Sequence, residues 1–268
     1  MPSKYVYIDD VAINYFHDGP STLPDALPDL SKGQRLLMCH GAGSNGHPWA
    51  GHCSSIGRKH SPVAIDMPAH GRSGGLESPR TIADYVAFLD KFVDALNLSP
   101  FVLLGHSMGG GITIEYALTH PEKLRGIILV GTGAKLRVLP ERLEQMKRVM
   151  EGKEPVQYDR WAYSPKTPIE IVRKGWMEQV KTDPRSRYYD FVACDAFNRM
   201  NDLKGINLPT LIICGIDDVL TPMKYAEFME KSIEGAKLVR IEDAGHAVAA
   251  EKQEQFDGAI TDFLDSLS

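Results

Sequence analysis

The sequence predicts an α/β fold: a mostly parallel, eight-stranded sheet with helices on both faces, interrupted by a helical insertion. Three observations carry this. First, solidly apolar runs such as Leu36-Leu37-Met38-Cys39, Ile127-Ile128-Leu129-Val130 and Leu211-Ile212-Ile213-Cys214 alternate with stretches of helical apolar spacing. Strands read this way when helices bury both faces of a parallel sheet. Second, the apolar run Phe101-Val102-Leu103-Leu104 breaks into Gly105-His106-Ser107-Met108-Gly109 and resumes as a helical pattern, which reads as strand, sharp turn and helix. Third, the alternation stops at Thr132 and resumes only beyond Asn201.

Residues 6–8 and 11–16 are short and β-rich around Asp9-Asp10 and predict a hairpin. The following loop, 18–33, carries Pro20, Pro24 and Pro28 and is long for a simple connection. The strand at 36–39 ends in His40-Gly41-Ala42-Gly43, where glycines let backbone N–H groups approach a ligand oxygen. Val63-Ala64-Ile65 runs into the turn-rich Asp66-Met67-Pro68-Ala69-His70-Gly71-Arg72-Ser73. Ile82, Tyr85, Val86, Leu89, Val93 and Leu96 share one face of a helix. After Ser107, Ile112, Tyr116 and Ala117 continue a buried helix that stops before Pro121, and a buried strand follows at 127–131. The stretch 132–201 has no such strand and reads as helical, for example at Leu143, Met146 and Met150. Beyond it come a strand at 210–215, a helix from about Pro222 and a strand near 238–241. A closing helix puts Phe256, Ile260, Phe263, Leu264 and Leu267 on one face. The division is a core of 1–131 and 202–268 around a helical insertion of 132–201.

Of the 268 residues 43% are hydrophobic and 24% charged, ordinary for a globular chain, and the formal net charge of -5 argues against a nucleic-acid binder. No run is apolar and long enough to span a bilayer. Met1-Pro2-Ser3-Lys4-Tyr5 lacks the order of a signal peptide, so a cytoplasmic location is expected. Cys39, Cys53, Cys194 and Cys214 have no paired spacing and predict no disulfide framework. His47 and His52 are five residues apart and share no helical face, so neither metal nor cofactor is expected.

A serine hydroxyl becomes a nucleophile when an imidazole takes its proton, and the imidazole needs an acid to orient it. Asp217 and Asp218 follow the strand at 210–215, and His246 follows the last strand, so both loops lie at strand C-terminal ends, where α/β sites are built. Ser107, a carboxylate and His246 thus each end a separate strand. Asp218 reads alternatively as a helix cap before Pro222, and Asp217 is the substitute acid. His40 and His70 are expected to brace their turns.

These motifs together resemble the α/β-hydrolase fold family over nearly the whole chain. The resemblance implies that Asp218, three residues after Gly215, is the acid, and that the backbone N–H groups of Ala42 and Met108 form the oxyanion hole. It implies a helical cap at 132–201. Serine in place of aspartate sets the chain apart from the dehalogenase and epoxide-hydrolase branches. The implied function is a serine carboxylic ester hydrolase; acyl-thioesterase, lactonase and C–C bond hydrolase are alternatives, and a ligand receptor with vestigial hydrolysis is a competing class. Having His106 before the serine, where C–C hydrolases often have Asn, disfavours that alternative.

The insertion concentrates aromatic residues, among them Trp161, Tyr163 and Trp176, which either form its own core or line a pocket for an apolar acyl group of small or medium size. Its cations, including Arg142 and Arg148, are either solvated helix faces or a docking surface for an anionic partner such as an acyl carrier protein or a coenzyme A ester. The expected partner is a small-molecule ester or thioester.

Overall fold

A computed structural model describes residues 3–20, 23, 26–158 and 160–267. Met1, Pro2 and, in the predicted loop, Pro24 lie outside the described residues. Strand β1 (Ser3–Ile8) and β2 (Val11–His17) form the expected hairpin, turning through Asp9 and Asp10 at φ 48° and 62°. Aspartate tolerates this left-handed region better than most side chains do. The hairpin joins β3 (Arg35–Cys39), β4 (Ser61–Ile65), β5 (Phe101–His106), β6 (Leu124–Val130), β7 (Thr210–Gly215) and β8 (Lys237–Ile241). Among the described residues they make one eight-stranded sheet in the order β1-β2-β4-β3-β5-β6-β7-β8. Only the pairings β1 with β2 and β2 with β4 are antiparallel.

The helices are α1 (Ala50–Ile56), α2 (Ile82–Ala95), α3 (Met108–Thr119), α4 (Pro140–Met150), α5 (Ile169–Gln179), α6 (Pro184–Ala196), α7 (Met223–Ser232), α8 (Val248–Glu251) and α9 (Gln253–Asp265). The period of two along each central strand sorts them into two layers. Leu37, Leu103, Leu129 and Ile212 pack with α2, α3 and α7, whereas Leu36, Val102, Ile128 and Leu211 pack with α1 and α9. Two cores, one on each sheet face, therefore require the solid apolar runs seen in the sequence. Helix α2 starts at a reciprocal cap: Thr81 Oγ1 accepts from Asp84 N at 3.1 Å and Asp84 Oδ2 accepts from Thr81 N at 3.0 Å. Helix α1 has no counterpart in the sequence reading. Its Ala-Gly-His-Cys-Ser-Ser-Ile run contains few strong helix formers, and it is held by burying His52, Cys53 and Ile56.

Between β6 and β7 the chain forms α4, α5 and α6 with no strand among its described residues beyond one bridge, Lys135 to Asn198. Leu136, Ala193, Cys194 and Phe197 join this segment to the core beside α3. Because β3 to β8 run parallel, the loops carrying 40–43, 66–73, Ser107, 217–218 and His246 all leave the same edge of the sheet. Among the described residues no helix is long and apolar enough to cross a membrane.

Candidate active site

Ser107 stands between β5 and α3 at φ 55° and ψ -116°. An L-residue held there costs about 1–3 kcal/mol, and such strain persists only where the surroundings over-determine it. They do so here. Ser107 N donates to Val130 O at 2.9 Å, while Ser107 O accepts from Gly110 N at 2.9 Å and from Thr132 Oγ1 at 2.7 Å. A Cβ at Gly105 would overlap the Gly109 carbonyl, and one at Gly109 would lie 2.6 Å from Cys39 O. Both glycines of the pentapeptide are thus demanded by backbone approach.

Past β7, Asp218 Oδ2 lies 2.9 Å from His246 Nδ1 and accepts from Thr221 Oγ1 at 2.8 Å. Its Oδ1 accepts from Leu220 N at 2.8 Å and Thr221 N at 2.9 Å, so the carboxylate is also the brace of its own turn. Burial pushes the Asp218 carboxyl up, but the positive charge and hydrogen bond offered by His246, with those from Thr221, outweigh it and hold it below the usual carboxylate range. The neighbouring Asp217 turns elsewhere: its Oδ2 accepts from Ser164 Oγ at 2.5 Å. Of the two candidate acids, Asp218 is the one that meets the imidazole.

The end of β6 links serine and histidine. Val130 takes the Ser107 N–H, and a Cβ on the next residue, Gly131, would lie 3.4 Å from both Asp218 Oδ2 and His246 Nδ1. His106 Nε2 donates to His246 O at 2.9 Å, with the two rings 4.8 Å apart. The 40–43 loop borders the serine as well, since a Cβ at Gly41 would lie 3.0 Å from Ser107 Cβ. Ala42 follows in that loop, and Met108 opens α3 directly after the serine.

His40 and His70 do brace turns. His40 Nδ1 donates to Gly41 O at 2.9 Å and Nε2 accepts from Met67 N at 3.2 Å, which is a neutral imidazole. His70 donates to Pro68 O and to Asp190 Oδ2, both at 2.9 Å. Asp190, in α6, was not singled out by the sequence reading. A lone carboxylate in Tyr188-Tyr189-Asp190-Phe191-Val192 reads as a helix's solvent side, yet it is fully buried.

Of the three aromatic pocket candidates, Tyr163 lays its ring against α5, the helix of Trp176, where a Cβ at Gly175 would overlap the Tyr163 hydroxyl. The Tyr163–Ser164 backbone lies over the histidine loop, where a Cβ at Gly245 would be 2.8 Å from Ser164 N, and Ala247 N donates to Ala162 O at 2.8 Å. Trp176 packs edge-on to Tyr158 at 5.6 Å. Trp161 is 57% exposed, too open to belong to a core of the insertion, with the Arg142 guanidinium 5.4 Å above its ring. Several cations of the insertion pair with its own acids: Arg148 with Glu154 at 2.6 Å, Lys153 with Glu151 at 2.5 Å and Arg185 with Asp183 at 2.6 Å. A docking surface for an acyl carrier protein gains no support from them. His52, weighed and set aside as a metal ligand, pairs with Asp257 at 2.5 Å.

A model of the alpha/beta hydrolase family matches residues 36–259. The chain belongs to this family. A hydrolase of (E)-2-((N-methylformamido)methylene)succinate from Acinetobacter baylyi is 25% identical over 247 residues, which cover 89% of this chain and 93% of the relative. The 2-hydroxy-6-oxo-2,4-heptadienoate hydrolase of Pseudomonas putida is 27% identical over 266 residues, covering 89% of this chain and 91% of that one. Among solved structures, a thermophilic esterase superposes with a TM-score of 0.80 at 29% identity, over 100% of this chain and 98% of its own.

The site makes stability depend on pH. Burial, with the charge of His70 beside His40 and of His246 beside His106, pushes these histidines down to about 4 and about 3. Below the ordinary value of about 6.5 the unfolded chain then binds protons that the folded chain refuses, so stability is full above that value. It is lost as pH falls toward the folded values, by up to about 1.4 kcal/mol per pH unit for each histidine. Thermal melts near pH 7 and near pH 5 should show the lower Tm at the lower pH, with a shallower loss in His106→Asn. An equally steep loss in that variant would remove His106 from the account.

Proposed function

We propose that this member of the alpha/beta hydrolase family is a serine hydrolase of carboxylic esters. Ser107 Oγ attacks the ester carbonyl while His246 Nε2 takes its proton, then His246 returns that proton to the departing alcohol. Water, deprotonated by the same imidazole, attacks the acyl-enzyme and frees the acid and Ser107. Asp218 keeps the other imidazole proton on Nδ1, so that Nε2 is the basic nitrogen, and it stabilises the imidazolium that forms. The N–H groups of Ala42 and Met108 take up the charge that develops on the carbonyl oxygen. Residues 132–201 serve as a helical cap on a core of 1–131 and 202–268, with Tyr163, Trp161 and Trp176 on the side of an apolar acyl group.

The observation that carries this reading is the Asp218–His246 hydrogen bond of 2.9 Å, at the sheet edge that also holds the strained Ser107. The likeness to a thermophilic esterase supports an ester as substrate. The test is a rapid-mixing assay with a panel of p-nitrophenyl acyl esters, beside acyl-thioesters and lactones. A burst of p-nitrophenolate near one per Ser107, followed by slower turnover, is expected with short and medium acyl chains. Neither burst nor turnover across the whole panel would discard the hydrolase reading in favour of a ligand receptor.

A further inference from the structure

Asp190 takes no part in this chemistry, yet its carboxylate gathers three elements of the core. Oδ2 accepts from Gly43 N at 2.7 Å and from His70 Nε2 at 2.9 Å, and Oδ1 accepts from the Tyr85 hydroxyl of α2. Asp190, His70 and Tyr85 are all buried. A carboxylate is kept in such a place only when it is paired and its lone pairs are filled. We propose that Asp190, borne by the 132–201 segment, is a positioning residue for the 40–43 loop, so that the loop's oxyanion donor is set only when that segment is docked. The proposal rests on the reading of Ala42 N–H as that donor.

Ala42 lies between two peptide planes, and both are fixed from outside. In the first, Gly41 O accepts from His40 Nδ1 at 2.9 Å and from Ser44 N at 3.2 Å. A trans peptide points its C=O and N–H opposite ways, so these bonds aim the Ala42 N–H away from His40 and Ser44. In the second, Gly43 N donates to Asp190; the plane that follows it is held as well, since its carbonyl, Gly43 O, accepts from Thr182 Oγ1 at 2.7 Å. Gly43 itself is at φ 64°, and a Cβ there would lie 2.7 Å from Arg187 Cγ, so the insertion presses on the loop from the side as well.

Asp190 also reaches the first plane indirectly. Its partner His70 lies with its ring 5.0 Å from that of His40, the residue that holds Gly41 O. Burial pushes Asp190 up and His70 down, but each one's charge and hydrogen bond reverse the other, leaving Asp190 lowered and His70 raised. One charged pair therefore anchors the plane after Ala42 and backs the plane before it.

Oxyanion donors act on the transition state, so a displaced loop lowers kcat and spares KM. With p-nitrophenyl acetate, Asp190→Ala is expected to lower kcat about 10²-fold, the scale of one lost donor, with KM within about twofold. Asp190→Asn, whose amide oxygen keeps the Gly43 bond, should regain most of that loss. Amide hydrogen exchange, read by mass spectrometry, should quicken in the peptide containing 40–46 and stay unchanged in β5 and β6. Thr182→Val, which removes only the bond to Gly43 O, serves if Asp190→Ala does not fold; it should lose about tenfold in kcat, with the same local exchange. A folded variant with unchanged loop exchange, with unchanged kcat, or with the loss carried by KM overturns the proposal. If the wild type turns over no ester, the hydrolase reading falls, while loop exchange in the same variants still decides whether Asp190 positions the loop.

Discussion

Ser107→Ala is expected to lower ester turnover by about 10⁴- to 10⁶-fold while leaving the fold and its Tm nearly unchanged. The size of the loss follows from the proposed role: without Oγ no acyl-enzyme would form, and only binding and the two proposed N–H donors would remain to assist attack by water. The small effect on stability follows from the bonds that hold the turn. They run through Ser107 N and Ser107 O, which alanine keeps, and the side chain makes no hydrogen bond to the start of α3. Alanine inherits the same backbone strain, so folded and unfolded states shift little against each other. Stopped-flow release of p-nitrophenolate and a thermal melt read the two halves separately. A variant retaining a tenth of wild-type turnover would remove Ser107 as nucleophile, and one that melts far lower would show that the loss of activity came from unfolding.

The second large effect separates two adjacent carboxylates. Asp218→Asn should lower kcat by about 10⁴-fold, because the amide enforces the wrong imidazole tautomer. The orientation of that amide is dictated by the turn. Leu220 N and Thr221 N both donate to the oxygen now called Oδ1, so the asparagine must place its carbonyl there and its NH₂ where Oδ2 meets His246. Nδ1 then becomes an acceptor, the proton moves to Nε2, and the nitrogen that should take the serine proton is already occupied. Asp217→Asn should change kcat by less than about threefold, since its contact with Ser164 Oγ is open to an amide that either donates or accepts. Steady-state kinetics on both variants, with circular dichroism to confirm folding, decides the matter. A large loss in Asp217→Asn with little in Asp218→Asn would reverse the assignment.

Much of this was legible in the sequence because it is local. A buried strand, the turn that ends it and the glycine that lets the backbone pass are written in neighbouring residues, so the β5 to α3 turn, the 40–43 loop and the loops after β7 and β8 were all placed in advance. Helix α1 escaped because burial of His52, Cys53 and Ile56, and no strong local preference, makes it helical. Trp161, Tyr163 and Trp176 were grouped by composition, which says nothing about which way each side chain faces; that Tyr163 lies against α5 beside Trp176 while Trp161 stands half-open under Arg142 came only with the structure.

The sequence by itself determined the sheet, the strand ends and the loops that carry Ser107, the aspartate pair and His246, since each depends on hydrophobic period and turn chemistry within a few residues. The family resemblance names Asp218 as the acid, but only the tertiary structure shows it, and not Asp217, meeting the imidazole. Tertiary structure alone brought Asp190 to Gly43, His70 and Tyr85, which lie 147, 120 and 105 residues away along the chain. The physical reason is the same in both cases: a carboxylate's role is set by the donors that surround it once water is excluded, and those donors arrive from elements that only folding brings together.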